Sequence, residues 1–219
     1  MRSNLFLGAM GYSLACLLAV GCGSNSSSSG TPGKVCSAVA PCGGALEGTW
    51  QLDTTCDEGN LAAAMASQQN LPAACNNLFQ SASPTLTGTV QFAGGMETDT
   101  LTTTLNATVL YTSACVSALS GTTVALNATI CSILGPSLTG SGGFTTATCT
   151  FASGGCSCAV SMTSQSDTTA QPYTLSGNTI VYTSGSDPMD YCVSGTTLTT
   201  REAVAGLSGV TFVTTAHKL

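Results

Sequence analysis

Charge is nearly missing from this chain. Only 6% of its 219 residues are Asp, Glu, Lys or Arg, and acids outnumber bases ten to four. A nucleic-acid-binding protein needs a basic face to displace counterions. Arg2, Lys34, Arg201 and Lys218 are too few and too scattered to build one. Histidine is scarcer still. His217 is alone and close to the final residue, Leu219, so it reads as part of a frayed tail rather than as the base of a Ser or Cys nucleophile. Aromatics make up 5%, which leaves Leu, Val, Ile, Ala and a few rings to form a modest core. Phosphate-cradling glycine motifs are absent: Gly94-Gly95, Gly142-Gly143 and Gly154-Gly155 fit turns. No cofactor is expected.

What the chain does have begins at its start. Arg2 supplies a positive residue, and residues 5–20 form an uncharged apolar run. That run is slightly short of the ~17–25 residues of a membrane-spanning helix and has the layout of a cleaved export signal. The junction Ala19-Val20-Gly21-Cys22 resembles a bacterial lipobox, with Ala19 where leucine is usual. There a diacylglyceryl group joins the cysteine sulfur and the chain is cut just before it. An ordinary secretory signal would not need Cys22. Residues 1–21 are therefore expected to be a lipoprotein signal peptide and Cys22 the lipidated residue. The tract at 23–33, GSNSSSSGTPG, cannot bury enough apolar surface to fold, so residues 22–35 read as a tether. The expected partner of that end is a membrane, reached through the lipid. Gly23, where Asp would favour inner-membrane retention, resembles an outer-membrane sorting signal. The expected location is the cell envelope, lipid-anchored at the outer membrane.

The chain holds 12 cysteines. Cys16 leaves with the signal and Cys22 carries lipid. Cys36, Cys42, Cys56, Cys75, Cys115, Cys131, Cys149, Cys156, Cys158 and Cys192 remain. An even remainder in an exported chain is what a disulfide framework requires, and spacing does not disclose its connectivity. The rival, a metal site of Cys149, Cys156, Cys158 and Cys192, lacks the two-to-four-residue gap of structural zinc sites. No metal is expected. Cys156 and Cys158 should not pair with each other, because so tight a ring strains the dihedral.

Periodicity two dominates residues 36–219, which read as one all-β domain. Over 85–92, Leu86, Gly88, Val90 and Phe92 face one way and Thr85, Thr87, Thr89 and Gln91 the other. From residue 101 the pattern recurs, with Leu101, Leu105, Ala107, Val109 and Tyr111 on one face. Further strands are predicted at 46–55, 144–151, 158–163, 173–175, 179–183, 191–193, 196–200 and 210–214. One or two short helices interrupt them. The first lies within 57–79, with Asp57 and Glu58 at its N-terminus. The second spans 127–134, with Asn127 as N-cap and Gly135-Pro136 as its stop. Tyr173 to Ile180 and Tyr191 to Leu198 echo each other around a Ser-Gly-x turn and read as hairpins. A meander of hairpins removes its exposed edges by closing into a barrel.

The stretch Glu47-Gly48-Thr49-Trp50-Gln51-Leu52 resembles the opening strand of lipocalin-like barrels. Together with Pro41-Cys42-Gly43-Gly44, Cys56, the Cys149/Cys156/Cys158 cluster and Tyr191-Cys192-Val193-Ser194-Gly195, it resembles cysteine-rich myxobacterial-type lipoproteins. That resemblance implies an antiparallel up-and-down, lipocalin-like β-barrel, stapled by disulfides and without an agreed activity. It also implies an arginine packed on the tryptophan, for which Arg201 is the folded-domain candidate, and Trp50 as the barrel floor, either as core or as the floor of a cavity. Closure further requires the strand near 210–213 to pair with the one holding Trp50, and Trp50, Leu52, Val90, Phe92, Leu105 and Val109 to share one interior.

No reaction is assignable from these residues. The expectation is a non-enzymatic binding module for a small apolar ligand or an envelope protein partner. The alternative is a structural or adhesive protein with a filled interior. A carboxylate-dependent hydrolase is a distant third, with Asp53, Asp57 and Glu58, or Asp187 and Asp190, as nominal acids. A pocket with converging carboxylates would revive it.

Overall fold

In a computed structural model, the described residues are 36, 40–69, 71–141, 143–152, 154–165, 170–183, 187–204 and 206–219. The predicted signal, Cys22 and the tether lie outside them. Ten strands, three α-helices and one short 3-10 turn account for most of the described chain. Two compact units emerge.

The first unit comprises the described residues within Gly30–Asn60, Pro84–Thr104 and Ser164–Leu219. It contains β1 (Gly48–Glu58), the later part of β2 (Phe79–Ala93), the earlier part of β3 (Met96–Thr112), and β6 (Gln171–Ser176), β7 (Thr179–Tyr182), β8 (Met189–Ser194), β9 (Thr197–Ala203) and β10 (Thr211–Lys218). Each pairs antiparallel with its neighbours in the cycle β1, β2, β3, β6, β7, β8, β9, β10 and back to β1. The up-and-down ring expected from the alternating segments is therefore present. Its closure is the predicted one: Trp50 lies opposite Lys218, and Cys56 opposite Val213. Two seams are lightly laced. β3 meets β6 only through Met96 and Glu97 against Pro172 and Gln171, and β7 meets β8 through Thr179 and Ile180 against Asp190 and Met189. The two echoed segments form the hairpins β6–β7 and β8–β9, turning at Gly177-Asn178 and Gly195-Thr196.

The ring's core contains Trp50, Phe92, Tyr173, Ile180, Tyr191 and Leu198, with Leu52 and Val90 packed against it. Phe92 and Tyr173 meet edge to face at 5.4 Å, the arrangement ring quadrupoles favour. Leu105 and Val109 do not join this core; both belong to the other unit. β3 is longer than one wall of the ring, so its apolar face serves two different interiors. Two disulfides brace the ring unit, Cys36–Cys56 and Cys42–Cys192.

The other unit, within the described residues of Leu61–Ser83 and Leu105–Thr163, carries α1 (Leu61–Gln68), α2 (Ser113–Ser120), α3 (Ala128–Ser141), β4 (Thr146–Ala152) and most of β5 (Gly155–Gln165). Asp57 and Glu58, expected at a helix N-terminus, lie instead in β1. α2 was not foreseen. Thr112 caps it by accepting from the Cys115 amide at 3.1 Å, and Gly121 closes it. Asn127 does cap α3, its Oδ1 accepting from the Ile130 amide at 2.9 Å. The helix nevertheless runs through Gly135-Pro136, the expected stop. Gly135 is there for space: a Cβ would sit 2.9 Å from the Ala147 carbonyl oxygen of β4. Cys131–Cys156 ties α3 to β5, and Cys149–Cys158 crosses the β4–β5 hairpin between directly opposed residues. Cys75–Cys115 joins the 3-10 turn to α2. All ten expected disulfide cysteines are thereby paired, and the sulfurs of the rival metal site are spent in three separate bridges.

Candidate functional site

Inside the ring unit lies a cavity of about 210 Å³. Its apolar wall includes Leu52, Leu86, Val90, Leu101, Met189 and Leu198. Its polar wall is acidic: Glu97 and Asp99 on β3 and Glu202 on β9, with Tyr182, Gln171 and Thr200 beside them. The strand pleat explains how acids arrive there. Successive side chains alternate faces, so Glu97 and Asp99 are in phase with Leu101, and Glu202 is in phase with Leu198 and Thr200. Lysine, arginine and histidine are missing from the described lining.

The electrostatics follow from confinement. Burial pushes the Glu97 carboxyl up to about 7, partly offset by the hydrogen bond from Tyr182, with the charges of Asp99 and Glu202 adding to the rise. Burial likewise raises Glu202, with Asp187 contributing. The Tyr182 hydroxyl is held firmly neutral by burial and by Glu97, to which it donates. At neutral pH the Glu97 carboxyl is thus only partly ionised.

Trp50 is wholly buried, and its Nε1–H donates to the Leu46 carbonyl at 2.8 Å. It belongs to the core cluster and is not among the cavity's lining residues. The cation over its ring is Lys218, 5.3 Å from the centroid, whose Nζ also donates to the Glu47 carbonyl at 2.8 Å. Arg201, the candidate that the lipocalin resemblance offered, instead forks onto Glu58. Its neighbours Thr200 and Glu202 line the cavity, so the pleat turns Arg201 to the other face.

The nominal acids are dispersed. Asp53 is the extra residue of a bulge in β1, and its Oδ1 lies 2.7 Å from His217 Nδ1. His217 is thus part of β10, opposite Gln51, and not a frayed tail. Glu58 is held by Arg201, Asp57 lies opposite Phe212, and Asp190 accepts from the Thr179 hydroxyl at 2.9 Å. None of these lines the cavity. Sequence reasoning missed Glu97, Asp99 and Glu202, although the alternation that placed Leu101 on the apolar face, continued backwards by two and four residues, reaches Asp99 and Glu97, and Glu202 follows Leu198 by four. Among the described residues no three His, Cys, Asp or Glu side chains are close enough together to hold a metal ion.

The chain matches no protein-family model and no curated protein.

Proposed function

We propose that this is a surface-tethered, non-enzymatic binding module that holds a small, largely apolar ligand within its ring of strands. In this reading the module is lipocalin-like. Lipidated Cys22 anchors it to the outer membrane, and the tract before residue 36 spaces it from the bilayer. One observation carries the binding claim: beside its packed core the ring unit keeps a half-open cavity of about 210 Å³. That is far beyond the ~10–15 Å³ that admits a single water. It is below the ~300–1,000 Å³ of sites for drug-sized molecules, so the ligand is small. A purely structural or adhesive protein has no use for such a space, since voids cost stability.

Stabilisation by hexanol tests this. A ligand at 100 times its dissociation constant adds about 2.7 kcal/mol to folding. Hexanol should raise the unfolding midpoint of the oxidised protein, and should do so much less in Leu86→Phe, which fills the space. Equal responses in both proteins, or none in either, would leave the structural reading in possession.

The converging carboxylates favour a second reading, a hydrolase with Glu97 as general acid and Asp99 or Glu202 as base. The cavity's size argues for binding, because a hydrolase must hold both sides of the bond it cleaves. Turnover of small aryl glycosides or esters that disappears in Glu97→Gln would establish the hydrolase instead.

A further inference from the structure

We propose that the Cys42–Cys192 disulfide fastens a thiol-operated strap: an external dithiol reduces this bridge before the other four, and its reduction frees residues 40–46 from the ring and loosens the β7–β8 seam. The inference concerns the ring's own closure and does not rest on the cavity being a ligand site.

The strap lies where a strand runs out. β7 spans only Thr179–Tyr182 and pairs with β8 no further than Asp190, so the stretch of β8 from Tyr191 onward needs another partner on that edge. Residues 42–44 take the place. The Cys42 and Gly43 amides donate to the Tyr191 carbonyl at 3.2 and 3.1 Å, and the Val193 amide donates to the Gly43 carbonyl at 2.7 Å. Asn178, in the β6–β7 turn, donates its Nδ2–H to the Pro41 carbonyl at 3.0 Å. One short segment therefore grips β8 and the tip of the β6–β7 hairpin together, beside a seam laced by two residue pairs. Further along it, Leu46 is buried in the ring's core and its carbonyl receives the Trp50 indole N–H.

Three features make this bridge a switch. The first is access: among the paired cysteines Cys42 alone is exposed, while Cys56 and Cys149 are half-buried and the rest are buried. Exchange requires a thiolate to reach a sulfur, so Cys42 is the point of attack. The second is the make-up of the strap. Gly43 and Gly44 lie at φ +70° and +109°, and a Cβ on Gly43 would come within 2.8 Å of Asn178 Oδ1. Glycine loses the most freedom on ordering, so this segment regains the most once its covalent hold is gone. The third is that the ring survives the release: β1 stays paired with β2 on one edge and β10 on the other, and Cys36–Cys56 is a separate bridge.

The chemistry is ordinary exchange. A thiolate of the dithiol attacks Cys42 Sγ, the S–S bond to Cys192 breaks, and Cys192 leaves as a thiolate that takes up a proton. The second thiol of the dithiol then attacks the mixed disulfide and releases Cys42 as a thiol. Two electrons and two protons pass to the protein, and the dithiol ends as a disulfide.

The test is limited reduction of the full, oxidised chain with dithiothreitol in the absence of denaturant, followed by alkylation and peptide mapping. Cys42 and Cys192 should be labelled first, about tenfold or more faster than any other pair. Emission of Trp50, the only tryptophan, should move to the red in step with that labelling, as its bond to Leu46 is lost, and should return on reoxidation. The amides of Tyr191 and Val193 should exchange faster with deuterium in the reduced form, and those joining β1 to β10 should not. Cys42→Ser combined with Cys192→Ser should show the shifted emission without reductant, and if that variant fails to fold the reduction series on the unaltered protein decides. Another pair labelled first, all pairs reacting together, no labelling at all, or selective reduction with unchanged Trp50 emission would each overturn the strap.

Discussion

Lys218 stands over the ring of Trp50, 5.3 Å from its centroid, and the two residues are also direct strand partners where β10 closes the ring on β1. One pair thus joins the first and last strands by backbone register and by charge against the aromatic face. A cation over a ring is worth ~0.5–1 kcal/mol at exposed sites. Lys218→Met should lower stability by about that amount in urea denaturation. Trp50→Ala removes a wholly buried ring and its hydrogen bond to Leu46 and should cost about 3–5 kcal/mol. Because Trp50 is the only tryptophan, its emission reports the Lys218 change directly.

Glu97 should make the protein less stable as pH rises. Its folded-state value, about 7, lies above the ordinary 4.5, so between those values the folded state binds more protons than the unfolded one and stability falls with increasing pH. The contribution is fully present below about 4.5 and gone above about 7. Glu97→Gln should flatten that stretch of the stability profile, a difference of up to about 3 kcal/mol. A profile with the same slope in the variant would remove Glu97 as its source.

Gly88 sits at φ +125°, and a Cβ there would lie 2.0 Å from the Thr100 carbonyl oxygen. Backbone cannot yield as a flexible side chain does. Gly88→Ala should therefore cost well over the ~1 kcal/mol typical of a backbone-incompatible alanine, by disturbing the β2–β3 pairing beside the cavity. Gly94, also at positive φ but with nothing within 4 Å of its Cβ position, is the control: Gly94→Ala should cost only the conformational part. Equal losses in equilibrium unfolding would show that the clash relaxes.

Disulfide removal should be graded by the loop each bridge closes. Cys42–Cys192 spans 150 residues and Cys149–Cys158 spans 9. In the chain-entropy account these are worth about 5 and about 2.5 kcal/mol. Paired alanine substitutions, measured by denaturation, should differ in that order, and the reverse order would mean that local packing outweighs loop entropy.

The anchor is tested at its own residue. Cys22→Ser should yield an uncut or soluble product that takes up no labelled fatty acid, and labelling that persists in the variant would refute the lipobox assignment.

Strand identity was legible because Thr-rich outer faces and aliphatic inner faces alternate cleanly, as at Thr85 to Phe92, and because two Ser-Gly-x turns mark hairpins. Ring closure came from the resemblance of Glu47 to Leu52 to a lipocalin's opening strand, which implies that the strand near 210–213 pairs with the one holding Trp50. What escaped was non-local or against expectation. Gly135-Pro136 carries a helix-stop signature, but its glycine answers to the Ala147 carbonyl, a contact no local window contains. Arg201 matched the lipocalin arginine by position along the chain, yet the pleat turns it away from Trp50. The acidic site was hidden by the habit of assigning acids to the surface: Glu97, Asp99 and Glu202 obey the same period-two phase as the leucines beside them, and chemistry alone made them look external.

Cysteine pairing also imposes a timetable on the emerging chain. The six cysteines from Cys75 to Cys158 pair only among themselves, nested between the ring's own partners. Cys36 meets Cys56 early, but Cys42 must wait for Cys192 while all six nested thiols pass by. Keeping the two sets apart cuts roughly a thousand formal pairings to about 45, and the long wait makes Cys42 the thiol most exposed to a wrong partner. Once an oxidant has formed the bonds, a disulfide isomerase should accordingly speed the folding of this protein, with mixed species trapped through Cys42 as the intermediate to look for.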